Sequence, residues 1–255
     1  MEDVVRLDKY LANNGFGTRS EVKKLISAGK IKVNGEVEKD CAFNVTDGCV
    51  IESAAASGTV SVAEATSGYK YYMLNKPAGV VTAAYDALYG TVMDLFANEK
   101  RSGLNPVGRL DKDTEGLLLV TDDGSLGHYL TSPRRNVPKV YYAELDGIPD
   151  ETGIERLKQG IEFKEFTSRP AILEILDADE KAGTSRVTIT VTEGRFHEVK
   201  RLAIAIGCEV KYLKRIGFAG LELDEGLRPG EYRLLTQAET DCLKEYGEKQ
   251  VKPDA

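Results

Sequence analysis

Residues 108–121 read Gly-Arg-Leu-Asp-Lys-Asp-Thr-Glu-Gly-Leu-Leu-Leu-Val-Thr, a charged, glycine-bounded loop that runs directly into an apolar segment. The apolar residues before Thr121, followed by Asp-Asp-Gly, predict a buried strand closed by a turn. Asp111 is therefore expected on a loop that a rigid strand holds in place, where functional side chains are often carried. Arg109 adds a guanidinium suited to a phosphate or a carboxylate. A loop carboxylate alone more often caps a turn or faces water, so the rest of the chain decides its role.

The composition is that of a globular protein. The chain has 255 residues, 42% hydrophobic and 29% charged, which suits one large domain with a small appendage. Its longest apolar runs, such as residues 202–206, are too short to cross a bilayer, and the acidic start Met1-Glu2-Asp3 lacks an apolar signal segment. The four cysteines lie far apart and there are two histidines. We therefore expect no disulfides, no metal site, no membrane partner and a cytoplasmic location.

The predicted organisation is a small module with a linker at residues 1–60, a larger domain at 61–245 and a flexible tail at 246–255. Residues 53–68 are mostly Ala, Ser, Thr and Gly, which favours the linker. In the larger domain, strands are predicted at 69–74, 117–120, 140–145, 171–176, 185–191, 210–215 and 232–235. Helices are predicted at 91–96, 128–130, 151–160 and 193–206, and a turn at 75–79. This pattern predicts an α+β fold with a mixed or antiparallel sheet flanked by helices.

The N-terminal module carries its own signals. Leu7, Tyr10 and Leu11 recur at helical spacing, and Thr18-Arg19-Ser20-Glu21 has the form of a capping box that begins a second helix. Ile31-Lys32-Val33 and the Asn34-Gly35 pair predict a hairpin. Five cations oppose one acid between residues 19 and 32, a net charge of +4. These cations are Arg19, Lys23, Lys24, Lys30 and Lys32. A solvated helix face is the alternative explanation of such a charge run.

These segments resemble the small RNA-binding module named after ribosomal small-subunit protein S-four. The resemblance rests on Arg6-Leu7-Asp8-Lys9-Tyr10-Leu11, on Thr18-Arg19-Ser20-Glu21 and on residues 29–35, Gly-Lys-Ile-Lys-Val-Asn-Gly. It covers about the first fifth of the chain. It implies that the two helices and the following strand present basic residues to folded RNA. The overall charge of −7 disfavours a general nucleic-acid coat but allows such a local basic surface.

Three segments of the larger domain combine a carboxylate, a phenol and a cation-rich helix start. They are the Asp111 loop, the tetrapeptide Pro138-Lys139-Val140-Tyr141, and residues 194–201, Gly-Arg-Phe-His-Glu-Val-Lys-Arg. Arg134 and Arg135 add further positive charge. Six cations oppose two acids between residues 195 and 215, a net charge of +4. A helix N-terminus adds a partial positive charge, so this surface suits an RNA phosphate.

With residues 72–77, Tyr-Met-Leu-Asn-Lys-Pro, these segments closely resemble the RsuA-type pseudouridine synthases, the family that includes RluB, RluE and RluF. The resemblance covers nearly the whole chain. It implies isomerisation of a chosen uridine in ribosomal RNA without a cofactor. By resemblance, Asp111 takes the place of the catalytic aspartate, Tyr141 of the tyrosine that packs on the target base, and Lys200 of the basic residue paired with the aspartate. Val191 matches, more loosely, an apolar residue that lines the pocket.

Other residues are expected to bind RNA or substrate. Arg109 is a candidate to fill the space left by the target uridine or to grip phosphate, and Arg134, Lys139 and Arg195 supply further cations. Tyr141 as a core strand residue and Lys200 as an exposed helix lysine are the structural alternatives. His197 is given no catalytic role. Asp113 and Glu115 are expected to be solvated or to cap turns.

The substrate is expected to be 16S rRNA, in its 5′ domain, as naked RNA or within a small-subunit assembly intermediate. Large-subunit relatives typically carry Asn-Arg-Gln-Val-Arg-Arg where this chain has Phe-His-Glu-Val-Lys-Arg at residues 196–201. The segments Ser132-Pro133-Arg134 and Lys139-Val140-Tyr141 look more like the small-subunit enzyme. A 23S rRNA enzyme of the same family and a non-catalytic RNA-binding assembly factor are the alternatives. We expect the protein to act as a monomer.

Overall fold

The computed structural model describes residues 5–13, 16, 19–45, 49–53, 58–61, 69–99 and 103–249. The chain forms two compact units. The N-terminal unit comprises residues 1–70 and 99–104, and the larger unit comprises residues 71–98 and 105–255.

The N-terminal unit packs two short helices with small antiparallel sheets. Its elements are β1 (Val5–Arg6), α1 (Leu7–Asn13), α2 (Arg19–Ser27), β2 (Ile31–Val33), β3 (Glu36–Val37), β4 (Asn44–Val45), β5 (Val50–Ser53) and β6 (Gly58–Ser61). The strands pair in the order β3-β2-β5-β6, and β1 pairs with β4. Leu7, Leu11, Val22, Ile26 and Ile31 are fully buried in its core.

Both predicted helices and the predicted hairpin of this unit are confirmed. Asn34 and Gly35 have φ angles of 52° and 84°, the left-handed values that a two-residue hairpin turn between β2 and β3 requires. The predicted N-cap Thr18 lies outside the described residues. One prediction is wrong in part, because β6 lies within the segment assigned to a linker and pairs with β5. Small residues with little bulk do not prevent a strand whose neighbour supplies the hydrogen bonds.

The larger unit is built on a nine-stranded sheet with helices. Its strands are β7 (Tyr71–Lys76), β8 (Asn105–Pro106), β9 (Glu115–Thr121), β10 (Lys139–Asp146), β11 (Ile172–Asp179), β12 (Thr184–Val191), β13 (Glu209–Phe218), β14 (Leu221–Glu222) and β15 (Tyr232–Leu234). Its α-helices are α3 (Gly124–Thr131), α4 (Glu151–Gln159), α5 (Glu198–Ala205) and α6 (Gln237–Lys249), and 3-10 helices cover Val92–Phe96 and Pro133–Arg135. None of the helices in the described ranges is both long enough and apolar enough for a membrane crossing.

The sheet is mixed. The strand order is β11-β12-β10-β13-β9-β7-β15, with β14 beside β13 and β8 beside β9. The β13–β9 pair is parallel, and the other pairs are antiparallel. Residues 117–120 of β9 are fully buried, which is why this strand has an unbroken apolar sequence. The predicted α+β class with a mixed sheet is confirmed.

Three local predictions need correction. Asn75 and Lys76, assigned to a turn, are the last residues of β7. The helix expected from residue 193 begins at Glu198, because His197 takes a left-handed conformation with φ of 51° and interrupts the helical path. The tail expected from residue 246 is helical to Lys249 in α6.

Candidate functional site

The Asp111 loop is held by the side chain of Thr82, in the segment that follows β7, and by a hydrogen bond within the loop. The hydroxyl of Thr82 donates to the carbonyl of Leu110 at 2.8 Å and accepts from its amide at 3.2 Å. Within the loop, the amide of Thr114 donates to the carbonyl of Asp111 at 3.1 Å. These bonds fix the backbone on both sides of the Asp111 side chain.

The buried side chain of Lys76 also holds this loop through hydrogen bonds. It is fully buried, and its ammonium donates to the carbonyls of Pro77 at 3.0 Å, Thr114 at 2.9 Å and Lys112 at 3.4 Å. Burial lowers the pKa of Lys76 to about 8, although nearby carboxylates including Asp111 oppose that shift. A turn prediction gave no reason to expect this role, because the three carbonyls converge only when the loop folds back on β7.

Gly116 lets the loop pass directly into the sheet. It lies opposite Arg215 in the parallel β9–β13 pair and has a φ angle of 102°. A Cβ on Gly116 would lie 2.2 Å from the carbonyl oxygen of Arg215. Only glycine fits this close approach, which fixes where the loop ends relative to β13.

Two cationic or ionisable side chains at the start of α5 reach Asp111. The ammonium of Lys200 lies 3.7 Å from Asp111 Oδ2, and His197 Nε2 lies at the same distance of 3.7 Å. Lys200 also bonds both carboxylate oxygens of Asp113 at 2.7 Å. That hydrogen bond holds the pKa of Asp113 below its usual range. The Asp111 side chain is 31% exposed, so its carboxylate is open to a ligand while it faces two nitrogen groups.

Asp113 and His197 both make contacts near Asp111 that the sequence did not predict. Asp113 is exposed, as predicted, but it forms an ion pair with Lys200. Sequence analysis assigned His197 no catalytic role, and in the structure His197 lines the cavity with its Nε2 3.7 Å from Asp111. The left-handed backbone of His197 turns its side chain out of the helical path, and a rare conformation of this kind cannot be read from residue type.

Tyr141 lies on β10 next to a buried arginine. It is 8% exposed and pairs across the sheet with Arg215 of β13 on one side and Ile189 of β12 on the other. Burial raises the pKa of Tyr141, and the guanidinium charge of Arg215 opposes that rise. Arg215 is 2% exposed and donates from Nε to the carbonyl of Leu117 at 2.8 Å.

The sequence analysis counted Arg215 as one of several surface cations and did not predict that it is buried. The strand pattern could have predicted this, because Arg215 lies two residues after Leu213 and therefore points to the same side of β13. Both residues are buried in the structure. An arginine in phase with a core leucine therefore indicated a buried guanidinium.

A cluster of charged groups lies beside Tyr141. Burial lowers the pKa of Lys139 to about 8, and its ammonium donates to the carbonyl of Val137 at 2.7 Å. Burial raises the pKa of Glu198 to about 7, helped by the adjacent carboxylate of Glu193. Arg195 bonds both acids, from Nε to Glu193 at 2.9 Å and from its backbone amide to Glu198 at 3.1 Å.

These groups surround a cavity of about 260 Å³. Seven residues predicted for the site line it: Arg109, Asp111, Lys139, Tyr141, Val191, Arg195 and Lys200. Arg215, His197 and Glu198 also line it. Arg134 does not, although its neighbour Pro133 does. The sequence therefore identified most of the side chains that the fold brings together around Asp111.

The cations predicted in the N-terminal unit divide into two sets. Arg19 and Lys23 surround the fully buried carboxylate of Asp8, at 3.2 Å and 3.8 Å, and Arg6 joins them at 3.2 Å. Burial tends to raise the pKa of Asp8, but hydrogen bonds from Arg19 and Arg6 hold it below its usual value. Lys24 and Lys30 are exposed.

Comparison with known proteins identifies the family. Residues 70–205 match the family described as RNA pseudouridylate synthase, and residues 5–51 match the S4 domain. The chain belongs to the RNA pseudouridylate synthase family. It is an enzyme that acts on RNA, and the resemblances seen in its sequence are confirmed.

Several relatives of this pseudouridine synthase match over nearly their whole length. The "Uncharacterized RNA pseudouridine synthase YtzG" of Bacillus subtilis is 42% identical, covering 94% of this chain and 99% of the relative. The "Ribosomal small subunit pseudouridine synthase A" of Escherichia coli K12 is 36% identical, covering 92% and 98%. The "Ribosomal large subunit pseudouridine synthase B" of Bacillus subtilis is 38% identical, covering 94% and 95%. A crystal structure titled as a pseudouridylate synthase superposes with a TM-score of 0.64 at 36% identity, covering 94% of this chain and 99% of that one.

Proposed function

We propose that this pseudouridine synthase modifies one uridine in the 5′ domain of 16S rRNA during assembly of the small ribosomal subunit. The observation that carries the proposal is the arrangement at the cavity, where the Asp111 carboxylate lies 3.7 Å from Lys200 and Tyr141 lines the same space. An isomerisation at a nucleoside needs a carboxylate that stays charged, and a nearby ammonium favours the charged form.

Asp111 acts at C1′ of the target nucleoside. The N1–C1′ bond breaks and its electrons pass to the base, while the carboxylate attacks C1′ or stabilises the positive charge that develops there. The base then turns and C5 bonds to C1′. Finally C5 loses its proton and N1 gains one, so the product is an isomer of the substrate and no cofactor is required.

Tyr141 provides a flat ring for the base and a hydroxyl for handling the C5 proton. The nucleotide must leave its stack to reach a carboxylate inside a cavity, as in other enzymes that act on bases. A cavity of about 260 Å³ is below the roughly 300–1,000 Å³ typical of sites for drug-sized ligands, which suits a single pyrimidine nucleoside. Val191 contributes an apolar wall, and Arg109, which also lines the cavity, is proposed to contact phosphate or to fill the vacated stack.

The ribosomal substrate is supported by relatives and by local sequence. Small-subunit enzymes from Vibrio, Haemophilus and Escherichia are 36–39% identical to this chain. The segment Phe196-His197-Glu198-Val199-Lys200-Arg201 departs from the pattern typical of large-subunit relatives. A 23S rRNA substrate is the second candidate, because a large-subunit enzyme is 38% identical.

The S4 domain is proposed to hold the ribosomal RNA through Arg19, Lys23, Lys24 and Lys30, and the larger unit through Arg134, Lys139 and Arg195. Phosphate contacts by such cations supply affinity without reading sequence. We infer a cytoplasmic monomer that acts on 16S rRNA or on a small-subunit assembly intermediate.

The test is carbodiimide–primer-extension mapping of ribosomal RNA incubated with the wild-type enzyme, with Asp111→Asn and with Asp113→Asn. We expect one new stop in 16S rRNA that disappears with Asp111→Asn and persists with Asp113→Asn, a matched change two residues away. A stop in 23S rRNA would keep the reaction and overturn the substrate. The absence of any stop, on naked RNA and on partly assembled small subunits alike, would favour a non-catalytic assembly factor.

A further inference from the structure

Phe196 is an exposed aromatic residue at the edge of the cavity. Its side chain is 75% exposed, and the residues on either side of it, Arg195 and His197, both line the cavity. Single exposed apolar residues are common on protein surfaces and need no explanation by themselves. The neighbours of Phe196, however, indicate a specific role for its ring.

The Phe196 ring is held by stacking. Its centroid lies 3.8 Å from that of the His197 imidazole, with 18° between the planes. His197 Nε2 in turn lies 3.7 Å from Asp111. One face of the Phe196 ring is therefore covered by His197, whereas most of the Phe196 side chain remains exposed to solvent.

Three cations lie on the same segment as this ring, and each is paired with an acid. Arg195 pairs with Glu193, Lys200 with Asp113, and Arg201 with Glu165. Glu198 is buried, whereas Arg195 is 46% exposed. An exposed aromatic ring flanked by cations is the arrangement with which proteins hold single-stranded RNA, because the ring stacks on a base and the cations meet the phosphates.

We propose that Phe196 stacks on the RNA base next to the target uridine. This inference rests on the proposed function, since it assumes a uridine withdrawn from its stack. Phe196 does not line the cavity, so it is suited to a neighbouring base and not to the uridine inside. The flanking cations and the RNA-directed activity of the family favour a nucleobase over an apolar protein partner.

The first experiment measures RNA affinity by fluorescence anisotropy. The RNA is the ribosomal fragment in which mapping finds pseudouridine, or complete 16S rRNA if none is found. We expect Phe196→Ala to raise Kd by about 5- to 150-fold, which is equivalent to the roughly 1–3 kcal/mol that one base–aromatic stack contributes. Phe196→Tyr and Phe196→Trp should restore tight binding, whereas Phe196→Leu should not. Ile204→Ala is the matched control, because Ile204 is 66% exposed on the following helix α5 and should leave Kd unchanged.

The second experiment identifies the base. Single abasic nucleotides are placed on each side of the target uridine, and Kd is measured for the wild type and for Phe196→Ala. At one flanking position the abasic change should weaken wild-type binding but leave Phe196→Ala unaffected, because the partner of the lost stack is already absent.

Two results would overturn the inference. If Phe196→Ala binds RNA as tightly as the wild type, Phe196 makes no contact that contributes to affinity, and reduced turnover in that case would mean that Phe196 acts only through His197. If Phe196→Leu binds as tightly as the wild type, the contact is apolar packing and not stacking. If the wild-type enzyme forms no pseudouridine, the proposed function is overturned and not the contact of Phe196 with RNA. That contact is then tested by measuring how Phe196→Ala changes Kd for complete 16S rRNA.

Discussion

Lys200 is closer to Asp113 than to Asp111, since its Nζ lies 2.7 Å from both carboxylate oxygens of Asp113 and 3.7 Å from the nearer oxygen of Asp111. The ammonium of Lys200 therefore interacts with two carboxylates, and these differ in their exposure to solvent. The Asp113 side chain is 72% exposed and that of Asp111 is 31% exposed. The less exposed carboxylate is the one that lines the cavity. Asp113 thus holds Lys200 in place, and the field of Lys200 reaches Asp111.

Asp113→Asn should leave the enzyme active. Exposed ion pairs contribute only about 0–1 kcal/mol, so the melting temperature should stay close to that of the wild type. Lys200 keeps its contact with Asp111, so turnover should remain within about tenfold, which corresponds to about 1.4 kcal/mol. Lys200→Met should reduce turnover further, because it removes the charge itself. Single-turnover assays measure this, and an Asp113→Asn enzyme as inactive as Asp111→Asn would make Asp113 a reacting carboxylate.

Gly116→Ala should destabilise the larger unit severely. The new Cβ would lie 2.2 Å from a backbone oxygen at a φ angle of 102°, so β9 and β13 must move apart. We expect a loss of at least about 3 kcal/mol, among the large values for single substitutions. Gly183→Ala is the control, since Gly183 has φ of 69° and no atom near its Cβ position. It should cost only the conformational penalty of about 1–2 kcal/mol. Similar melting temperatures for the two variants would show that β9 and β13 can move apart at little cost in stability.

The sequence predicted the Asp111 loop and its strand because both depend on local signals. A charged glycine-bounded loop and four apolar residues specify a loop and a buried strand without help from distant residues. Tyr141 was placed on a strand for the same reason. The residues that complete the site were accessible mainly through resemblance to a family, because Asp111, Tyr141 and Lys200 meet only after the sheet has formed.

Other features depended on contacts that local patterns do not encode. The Lys200–Asp113 pair joins residues 87 positions apart. Lys76 is buried because carbonyls of a later loop converge on its ammonium, so a polar residue beside Pro77 was misread as part of an exposed turn. His197 interrupts the predicted helix through its left-handed backbone, which follows from its surroundings and not from a recognised capping residue. Strand β6 required the edge of β5 as a partner.

Lys76→Met should loosen the Asp111 loop. The change leaves the carbonyls of Pro77, Lys112 and Thr114 without the ammonium that they share, and hydrogen bonds to a charged group contribute about 1.5–3 kcal/mol. We expect lower turnover together with a lower free energy of unfolding, measured by urea denaturation followed by circular dichroism. Lys158→Met, which removes an exposed lysine, should change neither quantity. Full turnover in Lys76→Met would mean that Thr82 alone fixes the loop.

The pH dependence of stability should also reveal Lys76. Its pKa is about 8 in the folded protein and near 10.4 in an unfolded chain. Between these values the unfolded state holds the proton and the folded state does not, so stability rises with pH, by up to about 1.4 kcal/mol per unit. Below pH 8 both states are protonated and this dependence vanishes. Lys76→Met should show a smaller rise between pH 8 and 10.5 than the wild type or Lys158→Met. Equal slopes would contradict the burial of a charged Lys76.

Lys24 and Lys30 are the residues with which to test RNA binding by the S4 domain. Arg19 and Lys23 also hold the buried Asp8, so their removal would combine lost RNA contacts with lost stability. Lys24→Ala/Lys30→Ala avoids this, because both side chains are exposed. If each lysine meets one phosphate, the slope of log Kd against log salt should fall by about 1.4–1.8, and affinity should drop most at low salt. Lys158→Ala is the control for overall charge, since Lys158 pairs with Glu155 on α4. An unchanged slope in the double variant would show that RNA does not lie along this basic surface, even if the enzyme still modifies its uridine.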